Sequence, residues 1–95
     1  MTTIDKAIAL TNKAIGELEP YLNGAKPLRE GMTRSQLGTC RAHLETMLEQ
    51  LRSGKLPPKE SRVGGMGRMI ADSWPFNEKL GDFLSEAEIA YSKLP

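Results

Sequence analysis

The chain has 95 residues, 39% of them hydrophobic and 26% charged, and a formal net charge of +1. That length suits one small domain with a modest core, and the ordinary apolar content argues against intrinsic disorder. Apolar runs of only a few residues give no expectation of a transmembrane helix or a secretory leader, and a single cysteine excludes an internal disulfide framework.

The inventory also leans toward one secondary structure. Leu, Ala and Met supply 25 residues, against 11 for Val, Ile, Phe, Tyr and Trp together. Leu, Ala and Met lose little rotamer freedom in a helix, whereas β-branched and aromatic residues favour a pleated surface. The predicted fold is all-α: a small antiparallel bundle of three long helices plus one short Gly-rich helix, forming a single domain over residues 1–95.

In chain order, the first helix is predicted over residues 3–22. Thr2 stands three residues before Asp5, a variant capping box. Ile4, Ile8, Thr11, Ile15, Leu18 and Leu22 share one face, widened by Ala7, Leu10, Ala14 and Tyr21. Pro20 should end or kink the regular helix near Glu19, with Asn23-Gly24 closing the last turn. The second helix is predicted over 33–53. Thr33 and Gln36 form a full capping box, Met32 and Leu37 a hydrophobic staple, and Gly54 a C-terminal stop. Leu37, Cys40, Leu44, Met47, Leu48 and Leu51 make a narrow apolar seam. These first two helices, joined by a short connector, should form the central hairpin.

Beyond Pro57-Pro58 the signal weakens. Val63, Met66, Met69, Ile70 and Trp74 suggest a short helix over 62–73, firmest from Met66, although Gly64, Gly65 and Gly67 oppose it. Pro75 can open the last helix as its first residue, predicted over 76–93. Phe76, Leu80, Phe83, Leu84, Ala87, Tyr91 and Leu94 share its apolar face. Ile89 points away from that face and is a natural place to look for a partner.

Charge is partitioned along the chain. Residues 1–24 balance to −1, residues 25–68 to +5 and residues 69–95 to −3. A basic centre can face phosphate or an acidic partner, or simply pack beside the acidic last helix. Arg34, Arg41 and Arg52 line one flank of the second helix, and Arg62 and Arg68 follow. They either snorkel over the core edge or form a basic stripe for a partner. Ser73-Trp74-Pro75-Phe76 is the most distinctive local feature, an aromatic plug at a helix corner or an exposed hot spot.

Enzymatic constellations are thin. Cys40 and His43, three apart on one helix, are half of a four-ligand zinc set, but a buried cysteine and a surface histidine explain them with less machinery. Mid-helix, Cys40 lacks the dipole end that would make it a nucleophile. Gly64-Gly65-Met66-Gly67-Arg68 contains G-x-G, yet Ile70 replaces the third glycine of the dinucleotide fingerprint and no strand precedes it. No catalytic residue, metal or cofactor is assigned. The reading is a non-enzymatic, soluble, cytoplasmic protein acting by protein–protein interaction as a regulator, inhibitor or adaptor, possibly as a homodimer. Its expected partner-binding residues are Arg34, Arg41, Arg52, Arg62, Arg68 and Trp74. The alternative is a nucleic-acid-associated regulator using the basic centre, whose binding would weaken steeply with salt.

Overall fold

The computed structural model describes residues 3–62, 65–75 and 77–95. Helix α1 spans Thr3–Leu22, α2 Arg34–Ser53, α3 Met66–Ser73 and α4 Lys79–Ser92, with a 3-10 turn at Lys59–Ser61 and no strand among the described residues. The four helices pack together around a shared apolar core.

Helix α1 buries Ala7, Thr11, Ala14 and Leu18. Steps of four, three and four residues keep them on one stripe. Three of the four are small, so neighbours come close, and α1 packs against both α2 and α4. The central element is therefore α1 itself rather than the α1–α2 hairpin. The inward stripe is also rotated from the expected one. Ile4 is 39% exposed and Ile8 and Ile15 are half-buried, because the small residues take the positions of closest approach. Thr11 is buried without an unpaired hydroxyl, since its Oγ1 donates to the Ala7 carbonyl at 2.7 Å.

Pro20 does not end α1, which runs on to Leu22. A proline in the last turn removes only one backbone bond. Beyond it, the Asn23 N–H donates to the Glu19 carbonyl and the Lys26 N–H to the Pro20 carbonyl, each at 2.9 Å. Helix α2 has the predicted cap. The Gln36 N–H donates to Thr33 Oγ1 at 3.1 Å, and the Thr33 N–H donates to Gln36 Oε1 at 3.0 Å. Its buried seam is Leu37, Cys40, Leu44, Met47 and Leu51, with Leu48 left half-buried beside it.

Helix α3 is shorter than predicted. Gly65 adopts φ +75°, a left-handed conformation that breaks any continuous helix from residue 62. The carboxylate of Glu88, from α4, then caps α3 by accepting from the Met66 and Gly67 N–H groups, both at 3.1 Å. Helix α4 likewise does not start at Pro75, whose carbonyl accepts from the Glu78 N–H at 3.1 Å. Glu78 is the N-cap, its carboxylate accepting from the Leu80 N–H at 3.3 Å. Thr2, Val63, Gly64 and Phe76, on which the sequence places the first cap, part of the glycine-rich turn and the start of the last helix, lie outside the described residues. The core face of α4 is Leu80, Gly81, Leu84, Ala87 and Tyr91, continued by Leu94. Gly81 belongs to it because a Cβ there would stand 2.7 Å from Ile70 Cγ2, so α3 crosses α4 at a point where a side chain does not fit.

Candidate functional site

The five arginines occupy different settings. Arg62 is 6% exposed, which corrects its expected place on a basic surface. Its Nε donates to the Pro57 carbonyl at 2.8 Å, and its two terminal nitrogens donate to the carbonyls of Leu94 and Pro95. A guanidinium carries five donors in a fixed fork, so one side chain satisfies loop carbonyls that no helix pairs. Arg62 thereby ties the segment after α2 to the end of α4. Arg41 is held between two carboxylates, Glu19 on α1 and Glu45 one turn along α2, the latter at 2.8 Å. Its charge is neutralised locally.

Arg34, Arg52 and Arg68 are exposed and have no ion-pair partner among the described residues. Arg34 and Arg52 stand at opposite ends of α2, about 27 Å apart at the helical rise, with the neutralised Arg41 between them. That separation exceeds the screening length of physiological salt several-fold, so the pair does not sum to a strong local field.

Trp74 is 6% exposed, and its indole N–H donates to Gln36 Oε1 at 3.0 Å. The same oxygen accepts from the Thr33 N–H, so one amide closes the cap of α2 and anchors the corner after α3. The aromatic body belongs to the core and its one polar atom is taken.

Cys40 is 2% exposed at the α2–α3 contact, beside a small cavity of about 200 Å³ lined also by Thr39, Met66 and Met69. Burial, helped by the nearby Glu88 carboxylate, pushes its thiol up to about 11, so it stays protonated and poorly nucleophilic at neutral pH. His43 Nε2 lies 3.7 Å from Glu88 Oε2, beyond hydrogen-bond range, and has no hydrogen-bond partner. Among the described residues no three His, Cys, Asp or Glu side chains come together as a metal set.

A second polar cluster joins α1 to α4. The Tyr21 hydroxyl donates to Glu78 Oε1 at 3.0 Å, and Arg29 donates to Glu78 Oε2 at 3.2 Å and to Asn77 Oδ1 at 2.8 Å. Burial pushes the Glu78 carboxyl up, but the Leu80 N–H, the Tyr21 hydroxyl and Arg29 together outweigh it and hold the group below the usual carboxylate range. Both oxygens of Glu78 are engaged in holding the fold.

A groove of about 560 Å³ lies between the start of α1 and the end of α4. Its apolar surface comes from Leu10, Ile89, Ala90 and Leu94, and Lys6, Glu86 and Lys93 stand around it. The volume is within the range of ligand-binding clefts. Residues 3, 6 and 10 of α1 fall at steps of three and four, and residues 86, 89 and 90 of α4 with its C-cap Lys93 at steps of three, one and three. Two flanking stripes therefore meet here after the inner stripes have gone to the core. Ile89 is 51% exposed beside the groove, and among the described residues Ile4 is the other large apolar side chain left exposed. The sequence singles out Ile89 from its position on the helical wheel. It does not reveal the groove, which exists only where α1 and α4 lie side by side.

No helix of the described residues is long and apolar enough to cross a membrane. Comparison with protein-family models and with curated proteins finds no match to this chain.

Proposed function

We propose that this is a small non-enzymatic protein, an antiparallel bundle of three long helices and one short Gly-rich one, that acts by protein–protein interaction as a regulator, inhibitor or adaptor. The observation that carries the reading is the α1–α4 groove with Ile89 51% exposed beside it. Covering the exposed half of Ile89 stabilises a contact by about 1 kcal/mol, at the upper end of what an exposed ion pair supplies. The reading moves the expected contact surface from Arg41, Arg62 and Trp74, which are engaged within the fold, to the two helix flanks at the groove.

A nucleic-acid role keeps Arg34, Arg52 and Arg68 as its support, since all three are exposed and unpaired within the described chain. Affinity purification from the source cell at low salt, with the natural chain and with Ile89→Glu, separates the two readings. A protein retained in stoichiometric amount by the natural chain and lost with Ile89→Glu is the expected result. Nucleic acid that is retained equally by both and leaves as salt rises would overturn it in favour of the basic residues.

A further inference from the structure

The groove has a charge pattern that its own copy complements. Glu86, Ile89, Ala90 and Lys93 lie at successive steps of three, one and three residues on α4, within a stripe about 100° wide. Lys93 is the C-cap residue of α4 and keeps right-handed helical backbone, with φ −86° and ψ −7°, so the stripe continues through it. Glu86, Ile89 and Lys93 are all exposed, Ala90 is half-buried, and neither Glu86 nor Lys93 has an ion-pair partner among the described residues.

When two copies of a helix lie antiparallel about a two-fold axis, opposed residue numbers sum to a constant. An axis through the midpoint of Ile89 and Ala90 sets Ile89 against Ala90 of the partner subunit and Glu86 against the partner's Lys93. The reciprocal pairs follow by symmetry. A large side chain then meets a small one at the centre, and opposite charges meet at both ends, each about 5 Å along the helix from the axis. A parallel arrangement, or a slip by one turn, forfeits the match.

We infer that the Glu86–Ile89–Ala90–Lys93 face of α4 pairs with the same face of a second copy of this chain across a two-fold axis. The inference rests on the interaction reading above and names its partner. Ile89 of each protomer enters the groove formed by Leu10, Ala90 and Leu94 of the other, and burial of that side chain holds the pair together. The two Glu86–Lys93 pairs fix orientation and register, as rim charges do in other interfaces.

Sedimentation equilibrium of the full chain and three variants tests this. The natural chain is expected to be a dimer and Ile89→Glu a monomer with unchanged helical circular dichroism. Glu86→Lys opposes lysine to lysine at both ends and Lys93→Glu opposes glutamate to glutamate, so each alone should weaken dimerisation by about tenfold or more. Mixed together they present complementary charges at both ends and should recover dimers containing one chain of each kind. That recovery is insensitive to any small loss of stability in either variant. A monomer at every concentration of the natural chain overturns the inference, as does a dimer that survives Ile89→Glu or a mixture that shows no recovery. A monomeric natural chain that still retains another protein through Ile89 sinks self-pairing alone and leaves the broader interaction reading standing.

Discussion

Glu78 gathers three hydrogen bonds from separate parts of the chain on one carboxylate. It caps α4, receives the Tyr21 hydroxyl and pairs with Arg29 while only 7% exposed. Its pKa is lower in the folded chain than in the unfolded one, where a glutamate titrates near ~4.3. The unfolded state therefore binds the proton more readily as pH falls. The stability from this carboxylate is complete above that value and is lost as pH drops through the folded one. Glu78→Gln is expected to cost about 1–2 kcal/mol at pH 7. Urea unfolding from pH 7 to pH 3 should show the natural chain and the variant converging as the solution becomes acid. Parallel curves would show that the carboxylate's charge is irrelevant. Arg62 differs in kind, because it is a buried cation that faces carbonyls. Arg62→Ala leaves those carbonyls unpaired and should cost about 2–3 kcal/mol in the same assay. Arg62→Lys should recover little of it, since one ammonium does not reproduce the fork.

At the scale of the element, α3 depends most on its neighbours. Eight residues are too few to hold a helix in isolation. Glu88 caps its N-terminus, Met66 and Trp74 bury into the core, and Ile70 closes over Gly81. Gly81→Ala should raise the intrinsic helix propensity of α4 yet destabilise the protein by ~1–3 kcal/mol, because the new methyl group collides with Ile70. Adding Ile70→Ala should restore part of the loss, a coupling that a double-mutant cycle measures directly. Additive effects would place the cost elsewhere. Element boundaries show the same logic. Thr33, Gln36 and Gly54 bound α2 through chemistry within a few residues of each end, and that boundary is legible in the sequence. The glycines before Met66 mark the start of α3 locally, but the carboxylate that caps it comes from 22 residues away in the chain and no local pattern announces that.

For the whole molecule, self-association at the α4 face has a thermodynamic signature. The thermal midpoint of the natural chain should rise with protein concentration, whereas that of Ile89→Glu should stay constant. A concentration-independent midpoint for both would sink the dimer. The all-helical character, the capped second helix and its apolar seam were determined by the sequence itself, because rotamer freedom, capping and apolar periodicity act within a few residues. The exposed Ile89 was legible for the same reason, as an outlier on its own helical wheel. Only the tertiary structure decided that α1 is central, since that follows from how closely Ala7, Thr11 and Ala14 let two other helices approach. It also decided the fate of the charged residues. Arg62 and Arg41 stand in the sequence among the expected contact residues, yet one is buried among carbonyls, and the other is held both by Glu45, legible at four-residue spacing, and by Glu19 of a different helix. A charge pattern along a chain shows which residues carry charge, but which charges stay free depends on partners that folding brings together from distant positions.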